Sequence, residues 1–150
     1  MLRHVVLCLA LALPSLAAAQ VVTDCEPSLA QARSIAEPWE DNILSLANGD
    51  VRLAVIDAIE PGAVPFHLMV LTPPYDELGA RLCWVVSLDA QGFGFSALTL
   101  AGLLKDSDSA GRLVLTLQAG RWNDTTGGPD PALLHLVIDP QTGEVSARLD

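Results

Sequence analysis

The sequence predicts a mainly β protein: an antiparallel β-meander of about eight strands, curled into a half-barrel or sandwich, with one N-terminal α-helix tied to the sheet by a disulfide. Three observations point there. From residue 43 onward, short runs rich in Val, Leu and Ile alternate with turn formers at hairpin spacing. Two of those runs alternate cleanly between apolar and polar residues, as antiparallel strands with one wet face do. Cys25 and Cys83 are the two cysteines that remain once an N-terminal leader is set aside.

The leader is read from residues 1–19. "MLRH" is a short basic start, "VVLCLALAL" an apolar run, and Ala17-Ala18-Ala19 a small-x-small cleavage site, so the expected cut follows Ala19. The apolar run is far shorter than the roughly 20 residues a bilayer-spanning helix needs. No later segment of residues 20–150 is long and apolar enough to serve as an integral membrane segment. Residues 20–150 are then a single exported domain, placed in a periplasm by the richness in Ala and Leu and the single lysine, or secreted. Two cysteines in an oxidising compartment are expected to pair. Closing so long a loop is worth roughly 4 kcal/mol in chain entropy.

Charge narrows the partners. The whole chain carries 8 basic and 18 acidic residues, a net charge of −10. Losing the leader removes only Arg3. Nucleic acid and anionic lipid are bound by Lys and Arg neutralising phosphate, so this composition argues against both. A protein or a small apolar ligand in the envelope fits better.

Taken in order, "EPSLAQARSIAEP" predicts a helix over about 27–37. Pro27 suits its first turn, Leu29, Ala32, Ile35 and Ala36 share one side, and Pro38 forbids continuation. Strands are then expected over about 43–149. "ILSLA" and "DVRLAVIDA" flank Asn48-Gly49, a two-residue hairpin signal. "PFHLMVLT", "ARLCWVVSL" and "GFGFSALTL" follow further turns. In "RLCWVVSL", Leu82, Trp84, Val86 and Leu88 form one row and Cys83 shares the other with Val85, so the disulfide places the N-terminal segment over that second row. "RLVLTLQ", "ALLHLVI" and "EVSARL" complete the set. Residues 96–106 are ambiguous, because Leu100, Leu103 and Leu104 also have helical spacing; strand to residue 100 and an irregular connection is preferred.

Three stretches and two histidines carry candidate chemistry. "KDSDSAG" spaces Asp106, Asp108 and Gly111 like the front of a calcium loop. However, Ala110 and Leu117 stand where oxygen ligands are needed, so a turn is expected and no metal is assigned. "IDPQTGEV" is a turn built by Asp139, Pro140 and Gly143. It is similar to hairpins that end small exported domains of the PepSY kind, a likeness confined to that phrase. "AGRWNDTTGGPDPA", residues 119–132, is expected as the longest loop, with Arg121, Trp122, Asn123 and Asp124 as a recognition patch, since aromatics and arginine anchor interfaces. His67 and His135 sit inside apolar strands. No catalytic residue, cofactor motif or metal-ligand spacing is recognised.

The reading that follows is a non-enzymatic binding or interaction domain. Its rivals are a small hydrolase or enzyme accessory whose site forms only in three dimensions, and a structural subunit of an envelope complex. The hydrolase requires His67 or His135 to meet a carboxylate.

Overall fold

Two antiparallel sheets face each other across one apolar core in a computed structural model of the chain, which describes residues 20–150. The expected leader lies outside the described residues. The first sheet has five strands: β1 (Val21–Asp24), β2 (Ile43–Leu46), β3 (Val51–Asp57), β4 (Phe66–Tyr75) and β5 (Arg81–Ser87), in the order β1-β5-β4-β3-β2. The second has four, in chain order: β6 (Ala97–Ser107), β7 (Leu113–Asn123), β8 (Gly128–Ile138) and β9 (Val145–Leu149). The molecule is mainly β, with one short α-helix and a Cys25–Cys83 disulfide that ties the N-terminal region to the sheet.

Period-2 alternation aims the core. Val51, Leu53 and Val55 of β3, with Leu68 and Val70 of β4, meet Leu115 and Leu117 of β7 and Leu134, Leu136 and Ile138 of β8. Fully burying one such side chain contributes about 1.5–3 kcal/mol, so this layer dominates stability. Phe95 is wholly buried and stitches the sheets together, exchanging two backbone hydrogen bonds with Phe66 at the start of β4. Across the core, the Trp84 indole N–H donates to the Gly143 carbonyl at 2.9 Å, fixing the β8–β9 turn against β5.

Several expectations need correction. Residues 27–37 do not form the helix. They make turns and one 3-10 turn, Ala32–Ser34, and the α-helix, α1, is Trp39–Asn42. The competing structure is a sheet edge: Ile35 bridges Ile56, and the Ala36 N–H donates to the Val55 carbonyl. That pairing satisfies backbone groups which a short, Pro-bounded helix would leave open. The helix begins only after Pro38, where Glu40 and Asp41 suit its positive end. Residues 21–24, read as tail, form β1 beside β5. Ala47 and Asn48 take positive φ in a connection longer than the two-residue hairpin expected at Asn48-Gly49.

Of residues 96–106, all from Ala97 onward are strand, interrupted by a bulge between Thr99 and Leu104 that resets the register against β7. The bulge contains Gly102 at φ +70° and lets Leu100 face the core while Leu104 turns to solvent. "KDSDSAG" is the β6–β7 turn. The Asp108 carboxylate accepts from the Ala110 and Arg112 N–H groups and pairs with the Arg112 guanidinium at 2.6 Å, which holds its pKa below the usual carboxylate range.

Candidate interaction surface

The long loop expected over residues 119–132 is two strands and a tight turn. β7 runs unbroken to Asn123 and β8 begins at Gly128, with Trp122 opposite Pro129 and Gly120 opposite Pro131. Pro129 and Pro131 lie within β8. β8 tolerates them because Leu133 exchanges backbone bonds with Asp150, where β9 ends. Pro129 and Pro131 share the parity of Leu133 and so turn their missing N–H groups to the side that β9 no longer occupies.

Register then sorts the four predicted recognition residues. Leu113, Leu115, Leu117 and Ala119 of β7 face the core, so Val114, Thr116, Gln118, Gly120 and Trp122 face outward. Arg121 shares the inward parity and lies beyond the core, on the opposite side from Trp122. Asn123 is committed to the turn: its side-chain oxygen accepts from the Thr125 and Thr126 N–H groups, and its amide donates to Asp130. Asp124 holds the Trp122 indole N–H at 2.9 Å. Of the four, Trp122 alone presents apolar area on the outer sheet face, at 39 % exposure, and Asp124 positions it.

What surrounds Trp122 was not legible from the stretch 121–124. On the same outer face stand Pro129, Pro131 and Leu133 from β8, and Leu104 lies opposite Thr116 from β6. Leu133 and Leu104 are 45 % and 69 % exposed. A shallow trough crosses this face from Ala97 to Asp150, floored at Gly120. A Cβ on Gly120 would come within 2.9 Å of Pro129 and 3.1 Å of Ala97, so glycine is what lets these strands lie this close.

The centre of the face is polar. His135 Nδ1 lies 3.0 Å from the Thr116 hydroxyl, and Nε2 lies 3.0 Å from Asp150 Oδ2. The second contact is close but off the hydrogen-bonding axis, which leaves Nε2 without an aligned acceptor. Asp150 also pairs with Arg148. The other described histidine, His67, is buried and shares a 2.9 Å hydrogen bond with Ser87. Burial pushes its pKa below the ordinary value. The two imidazoles lie in different sheets and share no site.

Among the described residues, no group of three or more His, Cys, Asp or Glu side chains is placed to hold a metal ion, and no helix is long and apolar enough to cross a membrane. No family model, no curated protein and no solved structure matches this chain.

Proposed function

We propose that the chain is a non-enzymatic binding domain of an extracytoplasmic compartment, and that a protein partner docks on the outer face of the four-stranded sheet with Trp122 as anchor. One observation carries this reading: Trp122, Pro129, Pro131 and Leu133 are exposed side by side on a face that no other element covers among the described residues, with Leu104 exposed on the same face beside Thr116. Exposed apolar area gathered on one face, rather than scattered singly, marks an interaction surface. Trp122 is also pre-positioned by Asp124, so little side-chain entropy is lost when a partner covers it. The disulfide agrees with export, and the partner is a component of the same envelope, whether a regulator or a subunit of a larger complex.

Cross-linking the tagged protein in its native envelope tests the proposal. A stoichiometric protein adduct that Trp122→Ala abolishes and Arg121→Ala preserves is expected, because Arg121 faces the other way. Equal loss in both variants would contradict the assignment of the face.

A small hydrolase is the second reading, favoured by the Thr116–His135–Asp150 array. Its weakness is geometric: Asp150 is not aligned to orient the imidazole, as a catalytic third member must be. Turnover of activated esters that disappears in both Thr116→Val and His135→Ala would install this reading in place of the first.

A further inference from the structure

The outer face of the five-stranded sheet carries a second surface, unrelated to Trp122. Because Leu53, Val55, Leu68 and Val70 face the core, Arg52, Ala54, Ile56, His67, Met69 and Leu71 face outward. An outward face of an antiparallel sheet is ordinarily wet and polar, yet this one is largely apolar. Part of it is covered. Residues 25–36 run from Cys25, disulfide-bonded to β5, to Ile35, bridged to the far edge of β3. Outward-facing Ile56, His67 and Val85 are accordingly buried.

Beside this strap the face lies open as a groove of about 410 Å³. Ala54, Met69 and Leu71 form its floor, Ile35 of the strap one wall and Ile43 of β2 the other. Its one charged lining residue is Arg52, which stands opposite Ser45 in the register. Among the described residues no carboxylate lines the groove, although the chain has more than twice as many acidic as basic residues. Among the described residues Arg52 makes no ion pair, whereas Arg112 and Arg148 each do. The volume is that of a small-molecule site, for which about 300–1,000 Å³ is usual.

We infer that this groove binds a fatty-acid-type monocarboxylate, its alkyl chain along Ile35, Ile43, Ala54, Met69 and Leu71 and its carboxylate on the Arg52 guanidinium. Charge complementarity selects the occupant. A planar guanidinium takes a carboxylate in paired hydrogen bonds, and one arginine serves one head group. The acidic remainder of the molecule repels dianions, and a cationic amphiphile would place like charge against Arg52. The Ser45 hydroxyl, directly across from Arg52 on the same face, supplies a further donor to the head group.

The test uses the disulfide-bonded protein, dodecanoate below its micellar concentration, and dodecyltrimethylammonium as the cationic comparator. Titration calorimetry gives the affinity, and methyl NMR of Ile43, Met69 and Leu71 gives the place. Saturable one-to-one binding of dodecanoate that shifts those three methyl groups is expected. Arg52→Gln should weaken binding by about tenfold or more, and Arg52→Lys should weaken it less. Arg52 is solvent-exposed, so an unchanged melting temperature verifies that Arg52→Gln still folds. Dodecyltrimethylammonium binding as tightly as dodecanoate, an Arg52→Gln affinity equal to wild type, or shifts confined to Trp122 and Leu133 would each overturn the inference. So would an apolar peptide with a free terminal carboxylate that displaces dodecanoate at far lower concentration.

Discussion

Single residues here do work that their neighbours make visible. Gly143 sits at φ +77°, and a Cβ there would approach Leu82 Cδ1 to 2.3 Å and the Pro73 carbonyl to 2.7 Å. Its own carbonyl holds Trp84. Gly143→Ala therefore combines left-handed strain with overpacking where the two sheets meet, and a loss of about 2–4 kcal/mol is expected by denaturant unfolding. A change below about 0.5 kcal/mol would show that the turn is not fixed against β5. His67 is the residue for which pH matters. Burial favours its neutral ring, so the folded pKa lies below the ordinary 6.5 of the unfolded chain. The unfolded chain therefore takes up this proton first as pH falls. The stabilisation is complete above the unfolded value and is lost as pH falls towards the folded one. An NMR titration should place His67 below 6.5, and His67→Phe should flatten the fall of stability on the acid side of pH 6.5. A His67 that titrates at or above 6.5 would contradict its burial.

At the scale of elements, the N-terminal strap and the β7–β8 hairpin matter most. Cys25 extends β1 and donates its N–H to the Cys83 carbonyl while its sulfur bonds Cys83, so one residue fixes both the strand and the start of the strap. Cys25→Ser with Cys83→Ser should cost up to roughly 4 kcal/mol. It should also speed hydrogen exchange in residues 21–36 well before β7 and β8 respond. Uniform exchange across all strands would mean that the strap is not a separate unit. Much of this was legible in the chain. The alternation of Leu113, Leu115 and Leu117 gave β7 its faces, and the rows of β5 set Cys83 outward under the N-terminal segment. Other elements were hidden because the deciding contacts are distant in sequence. Pro27 and Pro38 bracket a plausible helix, but the open edge of β3 at Val55 and Ile56 offered residues 35–36 better backbone partners. Pro129 and Pro131 look like loop residues until the register shows that their missing N–H groups point away from β7 and so break no bond of the β7–β8 ladder. The proposed recognition patch was half legible: Trp122 could be picked out locally, whereas Leu133 and Pro131 join it, and Leu104 shares its face, only through register.

As a whole, the molecule is a β-sandwich whose interior is filled by its own side chains, Phe95, Leu53, Leu68, Leu115 and Leu134 among them. Leu115→Ala should lose about 2–5 kcal/mol, as a cavity in such a core does; an effect near zero would mean a loosely packed interior. The proposed recognition therefore falls to the outer faces, and the two faces differ. The four-stranded face offers Trp122 and exposed leucines to a protein, and the five-stranded face offers an apolar groove with one cation. A photo-cross-linking amino acid placed in turn at Leu133, at Leu104 and at Leu78, in the protein in its native envelope, would decide whether a partner docks on the four-stranded face. Leu78 is 95 % exposed in the β4–β5 turn and serves as the comparison. One discrete protein adduct is expected from Leu133 and Leu104, absent from Leu78 and lost when Trp122→Ala is added. Adducts of equal yield at Leu78, or none from either position on the four-stranded face, would contradict that docking.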